Sequence, residues 1–250
     1  MTQDPAYKRV ANRVESMLAS GELTPGEALP AEAVLADQFD VTRATVRESL
    51  RLLEDAGYVR RTSPRKLVAS LPTAASLAHR VERALVVNKV TLRDIWETNL
   101  ALEPAMARLA AQRATDAQRA AITANVRATE AAHAAGEELS DLDEAFHVLL
   151  GEACNQPALQ IAREPFSQLF EQVVKGLVDA ADTGERLLVA HARIAEAIER
   201  REGHIAELWT RRHALDFDRG CRQSGVDIDV PLSVGGQADQ RHCVDKDRYE

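Results

Sequence analysis

The stretch from Leu29 to Ala69, LPAEAVLADQFDVTRATVRESLRLLEDAGYVRRTSPRKLVA, constrains this chain more than any other. It holds two short helical patterns with a tight break between them, then a turn and a two-stranded ribbon. The first pattern, Ala31 to Phe39, carries Val34, Leu35 and Phe39 on one face. The break falls at Asp40-Val41, where a short polar side chain tolerates the left-handed backbone of a sharp turn. Thr42 is a good N-cap for the second pattern. Val46, Leu50 and Leu53 follow at helical spacing as a buried stripe, and Gly57 is suited to the C-terminal stop. Arg43, Arg47 and Arg51 repeat every four residues on another face. Val59-Arg60-Arg61 and Leu67-Val68-Ala69, around Thr62 to Lys66, predict a hairpin with a basic tip. Helix, turn, helix and hairpin together read as a winged helix-turn-helix whose second helix enters a major groove.

Charge supports that reading. The 250-residue chain carries a net charge of −8, which argues against indiscriminate polyanion binding. Yet residues 41–72 hold seven basic side chains against three acidic ones. A row of arginines alone is more often the solvated face of a helix. Coinciding with a capped turn and a basic hairpin tip, it marks a phosphate-contacting surface.

Ahead of this stretch, residues 7–20 place Tyr7, Val10, Val14, Met17 and Leu18 on one face, a helix that packs beneath the motif. Gly21 ends it, and Leu23 to Gly26 is a turn. The first domain is residues 6–71, and residues 72–90 form a linker with a connecting helix bearing Leu77, Val81 and Leu85. Only 4% of the chain is aromatic while 45% is hydrophobic, a balance rich in alanine that suits helix packing. No signal-peptide core and no membrane-length apolar run is visible, and Cys154, Cys221 and Cys243 have no framework spacing. The expectation is a cytoplasmic protein with reduced thiols.

The segment GELTPGEALPAEAVLADQFDVTRATVRESLRLLEDAGYVRR and its basic wing resemble the DNA-binding domain of the GntR family of bacterial transcription regulators. The helices that follow are similar in order to the FadR branch, and the resemblance spans about residues 7–222. It implies a mainly α fold: an N-terminal winged helix-turn-helix followed by an all-α antiparallel helical bundle. It also implies that Arg43 and Arg47 reach base edges in a palindromic operator, and that Thr42 and Thr45 contact phosphate. Arg65 and Lys66 at the wing tip complete the expected DNA-binding set. Three positions depart from the family pattern: Ala33 and Asp40 stand where arginine and glycine are usual, and the wing tip SPRK has no glycine.

Residues 91–222 read as helix after helix. Thr91 to Arg113 carries Ile95, Asn99, Leu102, Met106 and Leu109 as a core stripe with one polar member, and Pro104 predicts a kink. Further helices are expected over residues 115–135, 140–153, 158–178, 185–201 and 204–219. Several polar residues fall on their apolar faces. Asp143 and His147 are four apart, His191 stands among Leu187, Ile194 and Ile198, and His213 stands between Trp209 and Phe217. Singly, each has a plain explanation: Ser140 to Asp143 as a cap, the histidines as core residues. Together, three inward imidazoles and one carboxylate suit a divalent ion such as Zn²⁺ or Ni²⁺. The resemblance points the same way, because a metal-binding subset of the FadR branch uses an aspartate and three histidines. His79, His133, His204 and His242 read as surface residues.

Open coordination positions beside apolar walls point to a small-molecule effector, a carboxylic acid. Asn99 stands where many relatives carry an arginine, and Asn155, in CNQPAL, resembles a family turn that lines the pocket. Both are expected effector contacts. A two-fold operator implies a homodimer. The alternative, a metal-dependent hydrolase on the Asp/His₃ site, leaves the basic winged domain without a purpose. Residues 223–250 read as a tail: Val226, Ile228, Val230, Leu232 and Val234 alternate as in an edge strand or an extended arm strapped across a neighbouring domain or subunit, and residues past Gly235 read as disordered.

Overall fold

A computed structural model describes residues 4–63, 66–174 and 181–232. The chain divides into two compact units, Met1–Leu77 and Ala78–Glu250.

The first unit begins with α1 (Ala6–Ser20), whose Val10, Ala11, Val14 and Leu18 are buried. Next come α2 (Glu32–Gln38) and α3 (Arg43–Ala56), with Asp40 between them at φ 52° and Gly57 closing α3 at φ 84°. The left-handed backbone expected at the turn is therefore present and carried by an aspartate. Val46, Leu50 and Leu53 of α3 meet α1 and α2 in one core. Val34, expected on the buried face of α2, is instead 54% exposed. Leu35, Ala36 and Phe39 already fill the side of this short helix that faces the core, and Val34 lies on its outer flank.

The wing is β1 (Val59–Ser63) against β2 (Lys66–Ala69), antiparallel, with Arg60 opposite Val68. Residues 26–29, which follow the Leu23–Gly26 turn, add a further edge. Gly26 N–H donates to Ala69 O, Ala69 N–H to Glu27 O and Leu29 N–H to Leu67 O. The backbone leading into α2 is thereby stitched to the wing.

After α4 (Ala74–Val87), which spans the division, comes the second unit. It continues through α5 (Leu92–Arg113), α6 (Asp116–Ala135), α7 (Ser140–Ala153), α8 (Pro157–Val174), α9 (Ala181–Glu199) and α10 (Gly203–Ser224). Capping boxes start α5 (Thr91 with Asp94) and α6 (Thr115 with Gln118), and α5 runs unbroken through Pro104. Met106, Ile122, Phe146, Leu150, Ile194 and Ile198 form the centre of the bundle. Helix α5 is central, packing against α7, α8, α9 and α10.

The C-terminal segment keeps its alternating pattern as an arm laid on the bundle. Helix α10 runs to Ser224, and the chain then turns back over the start of α5. Thr91 bridges Pro231, Arg93 N–H donates to Ile228 O, and Leu232 N–H donates to Val90 O. Ile228 and Leu232 are buried against Leu92, Ile95 and Cys221. Val226 and Val230 are half-buried while Asp227, Asp229 and Pro231 are exposed, so the alternation holds, and with a single bridge to Thr91 the segment is a strap rather than a full strand. Val234 and everything after it lie outside the described residues.

Candidate metal centre and DNA-reading surface

At the start of α3 the Thr42 hydroxyl accepts from Thr45 N–H at 3.2 Å and lies 2.9 Å from the Thr45 hydroxyl. The cap satisfies an amide that the first turn would otherwise leave unpaired. Arg43, Arg47 and Lys66 are exposed, while Arg65 lies outside the described residues. Arg47 Nε donates to Glu32 Oε2 at 2.7 Å, a partner on α2 that the arginine periodicity does not reveal.

In the bundle, α7 brings Asp143 and His147 one turn apart, α9 brings His191 and α10 brings His213. One ligand atom from each falls within 4.8 Å of all the others. His147 Nε2 and His191 Nε2 lie 3.2 and 3.3 Å from His213 Nε2. Asp143 Oδ1 is 3.3 Å from His191 Nε2, 3.7 Å from His147 Nε2 and 3.9 Å from His213 Nε2. The cap reading of Ser140 to Asp143 fails, because Leu139 is the N-cap and makes no side-chain cap bond. Asp143 is thus free to face the imidazoles.

These four residues fit a divalent ion. Two nitrogens each about 2.1 Å from one ion stand about 3.0 Å apart at a right angle and about 3.4 Å apart at a tetrahedral one. The observed nitrogen separations lie between those limits. Asp143 Oδ1 is buried yet accepts no aligned hydrogen bond. Such an orphaned buried acceptor is costly unless something else satisfies it.

The electrostatics agree. Burial opposes charge on Asp143, but the imidazoles outweigh it and hold the carboxyl down at about 2. Burial, reinforced by His191 and His147, pushes His213 down to about 3, and burial also lowers His191. Both rings are then neutral lone-pair donors at pH 7. At His147 burial works in the same direction, yet the carboxylates of Glu103 and Asp143 prevail and raise it. His191 is fully buried and stacks on Phe146 with ring centres 3.7 Å apart.

Two charged residues beside this cluster escaped the sequence reading. Glu103 on α5 places Oε2 3.1 Å from His147 Nδ1, and its Oε1 accepts from Arg163 Nε on α8 at 2.8 Å. Both are buried, and the paired cations hold the Glu103 carboxyl, despite its burial, far below the usual carboxylate range. The available signal was position: Glu103 is one turn beyond Asn99 on the same helix, in line with a core stripe already containing a polar residue.

Asn99 is buried and its Oδ1 has no partner. Asn155 is not brought to this cluster. It is exposed, at φ 46°, and its amide donates to Arg113 O, Ala153 O and Gln118 Oε1. Its place is a clamp between the α5–α6 and α7–α8 turns, which corrects the pocket-lining expectation: an amide committed to three acceptors of the fold has no donor left for a ligand.

Comparison with known proteins follows the same division. Residues 6–65 match the family described as bacterial regulatory proteins, gntR family, and residues 94–216 match the FCD domain. The chain is 28% identical over 207 residues to the HTH-type transcriptional regulator LutR of Bacillus subtilis, covering 81% of this chain and 94% of that one. It is also 28% identical over 236 residues to the Glc operon transcriptional activator of Escherichia coli (strain K12), covering 90% and 91%. Among solved structures, Streptococcus agalactiae GntR aligns with a TM-score of 0.64 and 25% identity, over 85% of this chain and 99% of that one. A capped, arginine-bearing recognition helix with a wing, followed by a helical bundle matching the FCD domain, makes this chain a member of the GntR family of transcription regulators, of the FadR-like branch.

Proposed function

We propose that this protein is a homodimeric, effector-responsive regulator whose bundle holds one divalent ion through Asp143, His147, His191 and His213. The observation that carries the reading is the convergence of four ligand atoms from three helices, on buried and half-buried side chains, around an acceptor with no aligned hydrogen bond. Three imidazoles and a carboxylate suit Zn²⁺, Ni²⁺ and similar borderline ions. A bound ion would supply positive charge and open coordination positions for an incoming oxygen ligand.

Charge balance favours an acid as effector. Asp143 and Glu103 contribute two negative charges and Arg163 one positive charge, so a divalent ion leaves these buried groups with a single net positive charge. One carboxylate cancels it, and uncompensated buried charge is expensive. The unpartnered Asn99 Oδ1 favours an acid that also carries a hydroxyl donor. Hydrolysis would need a base beside a coordinated water. Glu103, the nearby carboxylate, faces His147 Nδ1 and Arg163 instead.

On the DNA side, Arg43 and Arg47 read base edges while Thr42, Thr45, Arg65 and Lys66 contact phosphates, one recognition helix per half-site of a palindromic operator. Effector binding changes operator affinity through the bundle. Metal analysis of purified wild type beside His147→Ala/His191→Ala tests the centre, with near-stoichiometric divalent metal expected only in the wild type. A wild type that neither contains nor takes up Zn²⁺ or Ni²⁺ would return these residues to a polar core.

A further inference from the structure

Among the described residues, His147 has a carboxylate behind its ring, on the side away from the cluster: Nε2 faces His213 at 3.2 Å, and Nδ1 lies 3.1 Å from Glu103 Oε2. An imidazole that gives its Nε2 lone pair to an ion must keep its proton on Nδ1, and an acceptor there fixes both tautomer and ring orientation. Glu103 is itself fixed, because its other oxygen accepts from Arg163 Nε at 2.8 Å. Glu103 is only 5% exposed and Arg163 7%. A buried ion pair of this kind is seldom more stabilising than apolar residues of the same volume, so its presence here calls for another role.

We propose that Glu103 is a positioning residue for the metal centre, holding His147 by its Nδ1 edge, and that Arg163 keeps Glu103 aimed and charged. The inference rests on the metal reading above. It ties α8, which supplies no ligand among the described residues, to the centre through α5 and α7. The 3.1 Å contact brings Nδ1 within reach of the carboxylate without the alignment of a hydrogen bond.

Removing Glu103 alone would strand the Arg163 charge, so the test uses double variants that remove both charges together. Zn²⁺ affinity is measured by competition with a chromophoric chelator, and the visible spectrum of the Co²⁺ form reports coordination. The melting temperature of the metal-free protein reports any purely structural effect. Glu103→Leu/Arg163→Met is expected to bind Zn²⁺ roughly 10- to 100-fold more weakly than wild type, with an altered Co²⁺ spectrum. Glu103→Gln/Arg163→Met, which keeps an acceptor for Nδ1–H, is expected to recover part of the loss. Wild-type affinity and spectrum in the Leu/Met variant would overturn the proposal while leaving the metal reading intact. A loss matched by a lower metal-free melting temperature and not relieved by Gln would also overturn it, in favour of a packing role. A wild type that binds neither ion removes the metal reading, and this inference with it.

Discussion

Arg43 and Lys66 are both exposed cations of the first unit, and the proposed DNA contact gives them different work. Arg43 is the first residue of α3, ordered by the Thr42 cap, and a guanidinium there can present a fixed fork to a base edge. Lys66 begins β2 beside the wing tip, where an ammonium would act as a point charge on phosphate. Arg43→Ala is expected to cost about 1–3 kcal/mol of operator affinity and to relax sequence preference at one position per half-site. Lys66→Ala should weaken operator and random DNA alike, lowering the salt slope by about one. Fluorescence anisotropy titrations at several salt concentrations separate the two, and a uniform loss for both variants would contradict the assignment of Arg43. Arg47 differs again, because its Nε is already engaged by Glu32. The pair is exposed, so it contributes little stability, yet it orients the guanidinium before any DNA arrives.

At the scale of elements, the strap closes the end of the bundle where α5 begins. Arg93 Nε and Nη2 grip both oxygens of Asp229, but this pair lies in water and is screened. Burial of Ile228 and Leu232 does more, at roughly 1.5–3 kcal/mol for each side chain. The strap also covers Cys221, which has no exposed surface and whose thiol is pushed up to about 12 by burial and then by Asp218. A native Cys221 should therefore stay unreactive toward aromatic disulfides at pH 8, where an ordinary thiol reacts. In a Cys154→Ala/Cys243→Ala background, truncation after Gly225 is expected to expose it and speed the reaction by at least tenfold. Equal rates in the two chains would mean that the helices alone shield it.

For the whole molecule, the presence of two compact units makes a single unfolding transition a poor expectation. An ion bound within the bundle stabilises only the unit that contains it, by about 2.7 kcal/mol at a free concentration one hundred times the dissociation constant. Calorimetry with and without Zn²⁺ should move one transition and leave the other in place, and His147→Ala should abolish the movement. A rise in both transitions would place metal binding outside this centre.

Local chemistry determined much of this. Asp40 at the turn, Thr42 at the cap, Gly57 at the stop and the Val46–Leu50–Leu53 stripe each answer to the backbone or to one helix face, so short-range spacing was enough to place the winged motif. Asp143 and His147 share a helix face, and His191 and His213 each stand on an apolar stripe, so their inward direction was legible as well. Tertiary structure decided what depends on which faces meet. Only packing could show that Val34 falls outside the core of α2, that Asn155 clamps two turns, and that the arm of residues 226–232 lies on the start of α5. It alone could pair Glu103 with Arg163 across 60 positions of sequence and set both behind His147. Periodicity records which way a side chain points from its own helix, whereas a buried charge is explained only by the partner that another helix brings.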